Sequence, residues 1–176
     1  MGVGESLYHQ LLAQREAQRQ YQFDFMPTRK VGGPYTAWID THVATVHVVA
    51  SDFGRHGLML DSLSLTGNAS GKDGGQSDHL MRLVEKIVET ACPYGPIRCI
   101  ENDERLTGAL LRSDPNAEGC YFEIVVEGGK VADLKHYKIL ESTGERRRTP
   151  VNLGRRDFEL MTEGLAAAFD TEEEVN

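Results

Sequence analysis

No apolar run in the chain approaches the ~18 residues of a membrane-spanning helix. Met1 to Gln22 has neither the basic start nor the apolar centre of a secretory signal. No membrane partner is expected, and a cytoplasmic location is. Positive charge is also short: 19 Lys and Arg stand against 27 Asp and Glu, a formal net charge of -8. That balance removes the broad positive field on which sequence-independent DNA binding rests, so any nucleic-acid site has to be local. Cysteine is scarce too. Cys92, Cys99 and Cys120 make no C-x-x-C pair and stand beside no histidine at zinc-finger spacing, so buried, reduced thiols are expected.

Catalytic signatures are missing in the same way. There is no G-x-S-x-G elbow, and no cysteine opens a helix, where its thiolate would be stabilised. The Gly-rich stretch 66–76 invites a phosphate-loop reading, but Gly67 and Gly71-Lys72 are one residue too close, and Asp73 stands where a hydroxyl should meet magnesium. Asp40 and His42 share one face of an extended strand. They would hold a metal only if the fold brought His56, Glu101, Asp103 or Glu104 to them, so a metal-dependent enzyme ranks third among the functional readings. No cofactor, resident metal or catalytic residue is assigned.

What the chain does contain is a readable rhythm. Residues 5–22 are rich in helix formers, with a thin apolar patch at Leu7, Tyr8, Leu11 and Leu12, as in a helix that lies on the body or awaits a partner. Pro27 and the Val31–Pro34 stretch then read as a linker. Alternating β-branched and aromatic residues predict strands over 35–51, with a turn near Asp40 to His42, and over 57–67. Leu80, Leu83, Val84, Ile87, Val88 and Ala91 form the stripe of an amphipathic helix capped by Ser77. Strands follow at 97–101, 106–113, 120–127 and 130–141, with Gly128-Gly129 as the two-residue turn of a hairpin. A last helix begins near Arg155, its apolar stripe made by Phe158, Met161, Leu165, Ala168 and Phe169.

Strands in runs, each run closed by a helix, predict an α+β fold: a mainly antiparallel sheet flanked by two amphipathic helices, with an additional N-terminal helix. The expected organisation is a helix and linker at 1–30, one domain at 31–170 with pseudo-repeat halves at 31–95 and 96–170, and a disordered acidic tail at 171–176.

Five arginines fall in the eleven positions 146–156. Arg146 and Arg148 point outward from a short strand, with Pro150 suited to a sheet edge. Arg155 and Arg156 open a helix, where they oppose its dipole. Together the four could surround exposed helix-end amides as an anion seat. Against that stand nearby carboxylates, Glu159 above all, four residues after Arg155 and at helical pairing distance.

From Leu106 onward the order of four strands, a hairpin, a basic turn and a helix resembles one repeat of the PUR-type single-stranded nucleic-acid-binding proteins. The whole-chain order resembles the small secretion chaperones of type III systems, which implies a homodimer holding an extended partner segment. Neither likeness carries a motif that maps residue by residue.

Two functional readings follow. The first is a non-catalytic protein-interaction or chaperone-like module, a homo-oligomer that uses the Leu7, Tyr8, Leu11 and Leu12 patch, a sheet face or a sheet edge. The alternative is a binder of single-stranded nucleic acid or phosphate through Arg146, Arg148, Arg155 and Arg156, with Tyr121, Tyr137 or Phe122 as stacking surfaces.

Overall fold

The computed structural model describes residues 2–25, 34–68, 76–103 and 108–170. It is the expected α+β fold, with nine antiparallel strands in one sheet and three helices. Strands β1 (Tyr35–Asp40), β2 (Ala44–Phe53), β3 (Gly57–Gly67), β4 (Ile97–Asp103), β5 (Gly108–Ser113), β6 (Cys120–Glu127) and β7 (Val131–Ile139) take the order β1-β2-β3-β7-β6-β5-β4. Two short strands, β8 (Arg146–Arg148) and β9 (Val151–Gly154), pair with β7 and β3. The Gly-rich segment 69–75, the linker 26–33 and the tail 171–176 lie outside the described residues.

Alternation sets the two faces of the sheet. In β2, Ala44, Val46, Val48 and Ala50 are buried, and the residues between them are half-exposed. The turn before β2 is closed by Thr41, whose Oγ1 accepts from the amides of Val43 and Ala44 at 3.3 and 3.0 Å. The β6–β7 hairpin turns through three residues, Gly128 to Lys130, rather than the expected two; both glycines are at positive φ, and the Lys130 amide donates to the Glu127 carbonyl at 3.0 Å.

All three helices, α1 (Val3–Phe25), α2 (Gln76–Val88) and α3 (Arg155–Ala168), cover one face. α3 lies over β3 and β9, α1 beside it over β1, and α2 over β4 and β5. One hydrophobic cluster takes in residues from both sequence halves and from α1.

This placement of α1 corrects the expectation of an apolar patch awaiting a partner. Leu7, Tyr8 and Leu11 are wholly buried and Leu12 is partly buried against the same core. The Tyr8 hydroxyl donates to the carbonyls of Gly54 and, at 3.0 Å, Gly57, tying α1 to the β2–β3 turn. Gly4 lets the helices cross closely, since a Cβ there would stand 2.6 Å from Glu159 Cα. The thin face suffices because α1 has only the trough between α3 and β1 to fill. Its polar side has a task as well: Gln10 Oε1 accepts from the Trp38 amide at 3.3 Å, and Gln14 Nε2 donates to the Thr36 carbonyl. Both backbone groups lie on the free edge of β1, which these side chains satisfy.

The basic strand is placed differently from expectation. β3 and β7 pair directly at Leu63–Thr66 and Val131–Leu134, then diverge. β8 runs along β7, Thr149 and Pro150 reverse the chain, and β9 returns along β3, so a narrow V fills the fork. A bulge leaves Asp61 out of register on β3 where its neighbour changes, and the freed Asp61 carbonyl accepts from Arg148 Nη2 at 3.1 Å. Pro150 therefore stands at a fork rather than at a sheet edge. A residue without an N–H donor suits the point where pairing passes from β7 to β3.

Candidate functional site

The face opposite the helices has no element over it among the described residues. Its β1–β3 half carries Trp38, 59% exposed, paired across the strands with His47 and then Ser64. Met59 is also exposed there. Its β5–β8 half is of another character.

Four neighbouring strands bring together Arg112 (β5), opposite Glu123; Tyr121 (β6), opposite Tyr137 (β7); and Arg148 and Arg146 (β8), opposite Tyr137 and Ile139. Tyr121 and Tyr137 stack, with ring centroids 5.8 Å apart and planes 19° from parallel. Arg112 lies over the Tyr121 ring at 5.0 Å and Arg146 over the Tyr137 ring at 5.1 Å. Glu123, two residues after Tyr121, joins the two guanidiniums beside the tyrosine pair: its Oε2 accepts from Arg112 Nη2 at 2.9 Å and from Arg146 Nη1 at 2.6 Å. The Glu123 side chain is only 6% exposed, against 32% for Arg112 and 53% for Arg146. A hydrogen bond with Tyr121 first, and the Glu123 charge second, raise the pKa of Arg146.

Lys135 stands opposite Glu123 on β7, and Arg148 opposite Tyr137 on β8. Lys135 has no ion pair among the described residues. Arg98, the next cation on this rung, is taken by Asp114 at 3.0 Å.

The four arginines anticipated as one anion seat are split. Arg146 and Arg148 lie on the open face. Arg155 belongs to the helical side, where Nε pairs with Glu159 at 2.6 Å, Nη2 stands 3.8 Å from Glu5, and the guanidinium lies over Tyr8. Its backbone amide, the first of α3, already donates to the His56 carbonyl at 2.8 Å. Arg156 is exposed beside it. The expected i,i+4 pairing with Glu159 is thus present and the helix-end seat is not.

Of the three aromatic candidates, Tyr121 and Tyr137 are on the open face and Phe122 is not. Phe122 is buried among Tyr94 and His136 beneath the sheet. There His136 links two segments: Nε2 meets the Tyr94 hydroxyl at 3.3 Å, and Nδ1 meets the carbonyl and hydroxyl of Thr149, both at 3.0 Å. Burial lowers the pKa of His136. It raises that of the half-buried Cys92 thiol. Cys99, expected inside, is exposed on β4 next to a bulge, and Cys120 is buried.

Asp40 accepts from the Thr45 hydroxyl at 2.7 Å, and among the described residues no three His, Cys, Asp or Glu side chains gather as metal ligands. The residues that sequence reasoning missed are Arg112, Glu123 and Lys135, which sit in strands whose alternation marks only the face each belongs to. No protein-family model, no curated protein and no solved structure matches this chain.

Proposed function

We propose that the protein is a non-catalytic docking module whose open sheet face receives a protein partner. The observation that carries this reading is one-sided coverage: three helices shield one face of a nine-stranded sheet, while the other presents Trp38, Met59 and the tyrosine–arginine stack. An aromatic and arginine-bearing surface with polar surroundings is the composition that protein interfaces favour. The reading moves the contact surface from α1, whose apolar residues serve the chain's own core, to the sheet.

Single-stranded nucleic acid is the less supported occupant. Tyr121 is only 3% exposed, and the half-buried Tyr137 lies beside it with the Arg146 guanidinium over its ring, so the pair offers no open platform for a base. Arg155 is committed elsewhere.

A photo-crosslinking amino acid placed at Trp38 or Ser64 tests the reading against the same group at Leu160 or Val88 on the helical side. In the producing cells, discrete protein adducts are expected from the sheet positions and not from the helical ones. Adducts confined to the helical side, or none from Trp38 and Ser64, would overturn it.

A further inference from the structure

Resting on that docking reading, we infer that the β5–β8 half of the open face takes an acidic protein segment, with carboxylates held by Arg112, Lys135, Arg146 and Arg148. Four cations gather there over one carboxylate, in a chain whose formal net charge is -8. The next carboxylate along this face of β7, Asp133, stands one rung away beside Ser64 and Val125.

Donors outnumber acceptors within the cluster. Arg112 and Arg146 share a single oxygen, Glu123 Oε2. Arg112 Nε is buried without a partner. Arg148 has found only a backbone carbonyl, and Lys135 has no ion pair among the described residues. A guanidinium fork matches a carboxylate with two parallel hydrogen bonds, so the cluster is short of the group it is best shaped to hold.

The spacing suits a polypeptide. Arg146 and Arg148 are alternate residues of one strand and project ~7 Å apart on the same face, the repeat at which an extended chain presents alternate side chains. At the two ends of the cluster, Ile139 opposite Arg146 and Val125 one rung beyond Glu123 supply apolar contact on the same face. The arginines are also held in place before any partner arrives, by Tyr121, Tyr137 and Glu123. A nucleic acid would find phosphate contacts here, but Tyr121 is almost wholly buried and Tyr137 is half-buried with Arg146 over its ring. A base has no open ring to stack on, and a protein segment is the better-fitted occupant.

The test uses the full chain and three fluorescent probes of equal length: a peptide alternating glutamate with valine, its glutamine counterpart, and an oligothymidylate. Anisotropy titrations at low salt are expected to show binding of the glutamate peptide. Its affinity should fall about tenfold or more between roughly 0.05 and 0.5 M salt as charges are screened. Lys135→Gln with Arg148→Gln, which leaves the Glu123 pairs intact, should weaken it by about the same factor. Arg156→Gln, a like change on α3, should leave it unaltered, and circular dichroism would confirm that each variant is folded.

Equal binding of the glutamine peptide, or indifference to the double variant, overturns the acidic inference. So does tighter binding of the oligothymidylate, or a dimer of the chain itself that the double variant dissolves. In each case sheet-side crosslinks at Trp38 and Ser64 decide separately whether the docking reading stands.

Discussion

Glu123→Gln is the sharpest perturbation of the open face. The carboxylate is almost fully occluded and accepts two charged hydrogen bonds, at 2.9 and 2.6 Å, through one oxygen. Hydrogen bonds to charged groups contribute ~1.5–3 kcal/mol each, and removing one member of a buried pair costs ~3–5 kcal/mol. Two features reduce that here: both guanidiniums reach solvent and can turn to water, and the glutamine carbonyl keeps a weaker acceptor. The expected loss is about 2 kcal/mol, which for a domain of this size lowers Tm by about 4–8 °C. Arg146→Ala, with its cation half-exposed, should cost only about 1 kcal/mol. Because the two share a bond, the double variant should fall short of the summed losses by about 1 kcal/mol. Urea unfolding followed by circular dichroism measures all four corners of this cycle. A Glu123→Gln loss below about 0.5 kcal/mol, together with additive behaviour, would show that the stack contributes nothing as a unit.

Two further outcomes are expected. Burial holds the folded pKa of His136 below its ordinary 6.5, so the unfolded chain binds the proton more readily. Its contribution is therefore present above pH 6.5 and lost as pH falls below that value. Urea midpoints at about pH 5 and about pH 7.5 should differ less in His136→Gln than in the parent, and an unchanged difference would refute this. At the α1–α3 crossing, Gly4→Ala would bring a methyl 2.6 Å from Glu159 Cα and 2.9 Å from its carbonyl oxygen, whereas at Gly54 the nearest atom to the methyl is the far end of Arg15, at 3.8 Å. The first should cost about 1–3 kcal/mol in urea unfolding and the second under about 0.5 kcal/mol, and equal costs would mean that α1 yields without strain.

Much of the architecture was legible because it depends on local periodicity. The Leu80-to-Ile87 stripe and the β6 and β7 strands lie where alternation and turn chemistry put them. The tyrosine pair was not legible from the turn: a two-residue Gly128-Gly129 turn would set Tyr121 against His136, whereas the loop takes in Lys130 as well, which puts Glu127 opposite Val131 and Tyr121 opposite Tyr137. What no local pattern reveals is which strands from distant segments become neighbours. Nothing in β3 announces that it will pair with both β7 and β9, or that Asp61 will bulge where they part. The α1 patch was misassigned for a related reason. A narrow apolar face looks the same whether it covers the chain's own trough or a partner's.

A charged sheet face is commonly no more than a solvated surface, and exposure alone would not set this one apart. The difference lies in Glu123. A solvated face keeps its carboxylates in water, because removing one from solvent costs free energy that only good pairing recovers. Here a carboxylate is buried on the side of the sheet that carries no helix among the described residues, beneath groups that stay partly exposed themselves. The arrangement fixes two long side chains that would otherwise sample many rotamers, a freedom worth up to ~2 kcal/mol for each arginine. Arginines ordered in this way lose less entropy when a ligand arrives, so the burial of Glu123 prepares the surface for binding as well as stabilising the fold. If the stack were only structural, replacing Glu123 would alter stability while leaving the glutamate peptide's affinity unchanged. A change in both, from one substitution far from any helix, is what a preorganised docking face requires.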